Sequence, residues 1–521
     1  MTKLFAREFK GRRGSSVPDW VADAAFYQIF PDRFARSAAV EKPGKLQPWN
    51  DPPTFRAFKG GDLVGAAQRL DDVRALGFNA IYLTPIFKSA ANHRYHTYDY
   101  FEVCPILGGN DAFMFFLDKA KSLGMRVVID GVFNHASRGF FPFNHVMENG
   151  RDSPYVDWFH FNRKWLAKDR VIRAFPDRAD EDGPRKKFSA LDTYGYEAWW
   201  NLPALPKFNT RCPEVREYIF SVAEYWIRKG IDGWRLDVPN EIDDDGFWRE
   251  FRRRVKAVNP EAYIVGEIWG DGTRWLKGDQ FDGVMNYLLG KSVLEHVLPK
   301  KPRAAIVRRS HYRELARAPG GETHARMAKA LSLYPPEITL AQMNIMTSHD
   351  TPRLASVLSL DEQAIAQAIG LLVTLPGAPC IYYGDEIAME GAHDPDCRRA
   401  FPETLPRAGL PKRVRTLVAR LLHLRAEHVA LRRGGMKFLR CDDEVLMFLR
   451  TAGSDAIVVA LNRSRRGASF EVAIPGVRRG RLRSHLAGEG SPVPIERGRS
   501  TMTLAPGAFE LYTVESEDSH D

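Results

Sequence analysis

Four acidic residues stand at or just after the ends of short apolar runs. Asp130 closes RVVID, Asp237 closes GWRLD, Glu267 closes YIVGE, and Asp350 follows NIMT after Ser348 and His349. Carboxylates from distant parts of a chain can share one reaction once folding gathers them. In glycoside hydrolysis one attacks the anomeric carbon, while another, held protonated, donates to the leaving oxygen and later activates water. The two must differ in pKa, and their surroundings set that difference. Arg235 precedes Asp237 by two residues, on the same face of a strand whose side chains alternate. Its guanidinium is expected to favour an ionised Asp237. Glu267 lies between Gly266 and Ile268-Trp269, an apolar setting expected to favour the protonated acid. His135 and His349 stand beside the acids, and each can donate to a sugar hydroxyl. A single strand-end acid more often serves the fold, as a helix cap or ion-pair partner. Four from four strands are harder to assign that way.

Eight short runs carry these residues: 25–30 (AFYQIF), 79–83, 126–130, 233–237, 263–267, 283–287, 344–347 and 379–383. Between most of them lie stretches such as 111–123 and 215–229, with apolar residues at helical spacing. The alternation predicts an α/β (β/α)8 TIM barrel over 19–135 and 212–433, with the acids at its C-terminal mouth. Residues 136–211 break the pattern and read as an inserted subdomain, since structureless loops of that length are uncommon. Alternating strands from 444, 456, 469 and 509 predict a C-terminal antiparallel β-sandwich over 434–516. Residues 1–18 read as a tail, and 517–521 as an acidic one.

A chain of 521 residues is expected to form two to four domains. No apolar run nears the roughly 18–20 residues of a membrane span, so no membrane partner is expected. The basic N-terminus has no apolar core or cleavage site, so no secretory signal is expected either. The five cysteines are odd in number and widely spaced, which fits free thiols in the cytoplasm better than disulfides or zinc. The net charge of +10 raises the question of nucleic acid. The densest basic run, 249–256, is threaded by Phe247, Trp248, Phe251 and Val255 at helical spacing. It therefore reads as an amphipathic helix with a solvated basic face, and no nucleic-acid partner is expected. Gly290-Lys-Ser292 lacks the first glycine of a P-loop, and no metalloprotease, esterase or dinucleotide motif is present.

In order and spacing, DGVFNH (Asp130 to His135), GWRLD, GEIW and SHD resemble the four signature regions of the α-amylase superfamily, glycoside hydrolase family 13. The resemblance implies Asp237 as nucleophile, Glu267 as general acid/base and Asp350 as stabiliser of the transition state. Asp130 and Arg235 would be electrostatic support, His135 and His349 donors to the sugar, and Tyr98 the tyrosine stacked beneath it. LPKFN (205–209) and DVPNE (237–241) resemble the neopullulanase, cyclomaltodextrinase and maltogenic amylase group. DPDCR (394–398) resembles that group's sugar-binding element, which brings in Asp394 and Arg398. Val238 is typical of members that tolerate α-1,6 bonds.

The implied activity is retaining, endo-type hydrolysis of α-1,4 bonds in maltodextrins, cyclodextrins, starch and pullulan, mainly to maltose, with α-1,6 cleavage and transglycosylation. An oligo-1,6-glucosidase or α-glucosidase is the alternative, and a catalytically silent carbohydrate-binding subunit the alternative of another class. Group members carry an N-terminal β-sandwich, whereas here the barrel starts almost at once, so either a monomer or a homodimer is expected. The group's calcium loop after PDRF is acidic, but 33–40 here holds no Asp or Asn, and Glu241 replaces a superfamily histidine. No metal or other cofactor is expected to be required.

Overall fold

The computed structural model describes residues 17–176, 189–307, 315–486 and 491–517. Most of the expected N-terminal tail and nearly all of the acidic tail lie outside these residues. Eight short strands form one parallel sheet: β1 (Phe26–Ile29), β2 (Ala80–Leu83), β3 (Arg126–Gly131), β4 (Gly233–Leu236), β5 (Tyr263–Gly266), β6 (Gly283–Val284), β7 (Met343–Asn344) and β8 (Ala378–Tyr382). Each pairs with the next around the ring, β8 pairs with β1, and a parallel bridge between Met285 and Met343 closes β6 on β7. Almost every strand residue is buried, as a sheet wrapped by helices requires. Gly233 permits the approach of β4 to β5, because a Cβ there would lie 2.2 Å from the Tyr263 carbonyl oxygen.

The connecting helices bury one stripe each. Helix Pro213–Lys229 starts on a proline, which needs no N–H partner, and ends at Gly230 in the left-handed region. Its buried side includes Val215, Ile219, Val222, Trp226 and Ile227. Helix Asp245–Val258 carries the basic run, and its Phe247, Trp248, Phe251 and Val255 are buried. Its charges are neutralised locally: Arg249 pairs with Asp279, Arg252 and Lys256 with Asp282, Arg253 with Glu250, and Arg254 with Glu217 and Glu224.

The segment after His135 packs its own aromatic core from Phe143, Phe159, Phe161, Tyr196 and Phe208. It is tied to the barrel by an antiparallel bridge between His135 and Lys207. From Gly435 onward eight antiparallel strands, β9–β16, form the C-terminal domain. Alternation divides its faces. Leu446, Phe448, Ile457, Val459 and Leu461 join the barrel's core, while Val445, Met447, Leu449, Val458 and Ala460 form a second core inside the domain. Four of these strands match the alternating runs read from the sequence. The other four, Gly435–Cys441, Arg479–Ser484, Val493–Glu496 and Arg499–Leu504, escaped that reading.

All five cysteines are free thiols. Among the described residues, no helix is long and apolar enough to cross a membrane.

Behind β8 the buried Glu386 accepts hydrogen bonds from Tyr27 Oη (2.9 Å) and Gly384 N (2.7 Å), and burial pushes its pKa from 4.5 up to about 7. The folded state thus binds a proton that the unfolded chain releases near pH 4.5, so its contribution is complete below that pH and is lost as pH rises to about 7. Glu386→Gln is expected to flatten this slope. The stability difference between wild type and variant should shift by about 3 kcal/mol across the window, read by denaturant unfolding at pH 4.5 and 7.5.

Candidate active site

The strand ends bring the acids together through one guanidinium. Arg235 and Asp237 project from the same face of β4, and the β3–β4 register sets Asp130 beside Arg235. Arg235 Nη1 lies 2.9 Å from both oxygens of Asp130 and 3.0 Å from Asp237 Oδ1, and Nη2 is 3.0 Å from Glu267 Oε2. All four side chains are buried. Backbone pairing continues past the strands to hold the acids: Asp237 N donates to Gly131 O, and Glu267 N to Leu236 O, both at 3.0 Å.

The apolar setting expected for Glu267 needs correction. Its carboxyl accepts from the Val238 backbone N–H (3.1 Å) and from the Trp269 indole N–H (3.2 Å), besides meeting Arg235. Trp269 turns its indole nitrogen back toward Glu267 while its ring stacks on Tyr287 at 3.7 Å. Val238 aims its N–H from a left-handed turn (φ 35°), a strained conformation for a β-branched residue. Burial pushes the pKa of Glu267 up, and holds Asp237 well above the ordinary carboxylate range despite Arg235. Asp130 is raised by burial too. Three buried carboxyls thus share one cation, so each is disfavoured in its ionised form by its neighbours.

A second layer fixes this cluster. Asp130 Oδ2 accepts from Tyr82 Oη (2.7 Å) and Tyr95 Oη (3.0 Å). Tyr95 also bonds His349 Nε2 at 2.7 Å and stacks on its ring, 5.5 Å between centroids. Gln28 on β1 holds the other His349 nitrogen at 2.9 Å. Asp350 lies 3.1 Å from His349 Nε2 and 3.1 Å from Arg398 Nη2, and Arg398 reaches Asp394 at 3.1 Å. His135 is buried, and burial lowers its pKa to about 3, which keeps it neutral at ordinary pH.

Tyr98, expected beneath the sugar, packs its ring on Gly139 instead, where a Cβ would lie 2.4 Å from it. Tyr95 is the tyrosine of that segment which contacts Asp130 and His349. Sequence reasoning also missed Tyr82 and Gln28, both strand residues whose polar tips reach a neighbour's carboxyl or imidazole. Of the insertion's aromatics, Phe140 is buried, Phe141 is exposed, Trp158 packs on the core, and Trp199 and Trp200 form an outward stack from His135.

Residues 28–416 match the family model of the alpha amylase catalytic domain. The chain is 40% identical over 507 residues to a cyclomaltodextrinase of Geobacillus thermopakistaniensis, which covers 96% of this chain and 78% of the relative. The crystal structure of a Thermus thermophilus protein, Ttha1563, matches with TM-score 0.82 and 42% identity, over 95% of this chain and 99% of that one. An acarbose-soaked debranching enzyme of Nostoc punctiforme matches with TM-score 0.80 and 40% identity, over the same shares. Together with the barrel and its cluster of acids, these matches establish an α-glucan hydrolase, and the chain belongs to the α-amylase family, in the group of cyclomaltodextrinases, maltogenic amylases and neopullulanases.

Proposed function

We propose that this enzyme is a retaining, endo-acting hydrolase of α-1,4 bonds in maltodextrins and cyclodextrins. It forms mainly maltose, with some α-1,6 cleavage and transglycosylation. The observation that carries the reading is the sharing of Arg235 by Asp237 and Glu267. Two carboxyls on one guanidinium favour the close spacing of a double displacement over the wider gap that admits a water between them. In this reading Asp237 attacks the anomeric carbon, and a proton passes from Glu267 to the leaving oxygen. Asp350 faces the positive charge that develops on the sugar. Tyr95, the neutral His135 and His349 bind the same ring, and Arg398 and Asp394 bind the next one. The cyclodextrin and α-1,6 components lean on the cyclomaltodextrinase and debranching relatives.

The reading includes no calcium requirement. Calcium takes six to eight oxygens. Glu241, where the superfamily carries a histidine, pairs with Lys207 at 3.6 Å. Among the described residues, no three His, Cys, Asp or Glu side chains are grouped for a metal.

A time course on maltohexaose, β-cyclodextrin and pullulan tests the reading, with proton NMR of the first product. Maltose as the α-anomer is expected. Glucose from the first minutes would instead make it a glucosidase, and a β-anomer would exclude the double displacement.

A further inference from the structure

A stack of three rings leads outward from the buried His135. His135 lies parallel to Trp199 (5.0 Å, 8°), and Trp199 lies parallel to Trp200 (4.6 Å, 14°). The outermost ring is 61% exposed, although Trp is among the side chains that most favour burial. Its backbone is left-handed (φ 52°), as is that of Asn201 (φ 57°), a conformation that glycine would hold at less cost. Strain of this kind persists only where the surrounding structure over-determines it, and it clusters at active sites and ligand clamps. Two polar nitrogens of the stack, His135 Nε2 and Trp199 Nε1, are buried and have no hydrogen-bond partner among the described residues.

The stack borders a cavity of about 270 Å³ lined by Trp199, Trp200, Asn201, Lys207, Glu197 and Glu241. Flat aromatic faces with charged and amide groups at the rim suit a pyranose, whose faces present C–H bonds and whose edge presents hydroxyls. Its position relative to the acids follows from the chain. Glu241 ends the Pro239–Glu241 turn directly after Val238, whose N–H holds Glu267. One short turn thus links the cavity's Glu241 to the backbone that holds the carboxyl serving the leaving oxygen, whereas Arg398 and Asp394 hold Asp350.

We infer that Trp200 is a stacking platform for a glucosyl ring in the leaving part of the substrate, and equally for an incoming sugar acceptor. The inference rests on the proposed hydrolysis and adds a specificity determinant to it: substrates with glucosyl units beyond the scissile bond gain from Trp200, whereas an aryl maltoside does not. Trp200→Gly relaxes the backbone and removes the ring, and Trp200→Phe keeps a ring. The glycine variant should lower kcat/KM on maltohexaose roughly tenfold, mainly through KM, and leave p-nitrophenyl α-maltoside within about twofold; the phenylalanine variant should retain most of the activity. Equal losses on both substrates, or no loss on maltohexaose, would overturn the platform. Calorimetric titration of maltohexaose into Asp237→Asn protein, with and without Trp200→Gly, reads the same site without turnover. There the affinity should fall roughly tenfold, and an unchanged affinity would overturn the inference. If the wild type cleaved neither substrate, the hydrolase reading would fail while the titration still decided on Trp200.

Discussion

Asp237→Asn is expected to reduce kcat on maltohexaose by roughly five orders of magnitude while leaving the fold intact. The loss follows from the step removed. An amide cannot form the glycosyl ester, so the reaction must fall back on direct attack by water in a site not arranged for it. The fold should tolerate the change for an electrostatic reason. Asp237 is one of three buried carboxyls around Arg235, and burial together with its acidic neighbours holds it well above the usual carboxylate range. Neutralising it removes like-charge repulsion, and the amide oxygen can still accept from Arg235 Nη1. Thermal unfolding should therefore occur at or above the wild-type temperature. A kcat within tenfold of wild type, measured on protein free of contaminating amylase, would remove Asp237 from the nucleophile's role.

The pairing of Arg235 with Asp237 was legible in the sequence because both sit on one strand, where alternation fixes the face. The partnership of Arg235 with Asp130 was not, because it depends on the β3–β4 register, which no local pattern encodes. Glu267 shows a sharper limit. Its neighbours Gly266, Ile268 and Trp269 read as apolar, yet the polar end of Trp269 folds back on it and a backbone N–H arrives from Val238 in the turn after the neighbouring strand. Composition cannot report which end of an amphipathic side chain faces an acid. Tyr95 went unnamed for a related reason: it shares one short segment with Tyr98, and only the fold turns one toward Asp130 and the other toward Gly139. The barrel was easier to read, since most of its buried parallel strands are largely apolar runs and several lead straight into an acid. The C-terminal strands were half missed: RGRLRS, for example, buries only Gly480 and Leu482 between its arginines and holds no β-branched residue, so its alternation carries little apolar signal.

Glu267→Gln is expected to separate substrates by how much help their leaving groups need. With maltohexaose the departing oxygen requires a proton, and kcat/KM should fall roughly a thousandfold, within the range that general acid catalysis supplies. With α-maltosyl fluoride the leaving group departs without a proton, so the first-turnover release of fluoride should slow by no more than roughly tenfold. Glutamine can keep the contact to Val238 N–H through its carbonyl oxygen, so the variant tests the proton and not the position. The second step needs a base, and the glycosyl-enzyme should accumulate in the variant until azide, which attacks without deprotonation, releases it as a maltosyl azide. The pH dependence carries an independent sign. Burial raises the Glu267 pKa, so in wild type the protonated acid is lost as pH rises through that raised value, and maltohexaose hydrolysis declines on the alkaline side. The variant has no such proton to lose, and its fluoride release should show no decline there. A uniform loss on both substrates, with the alkaline decline intact, would assign the proton to another carboxyl of the cluster.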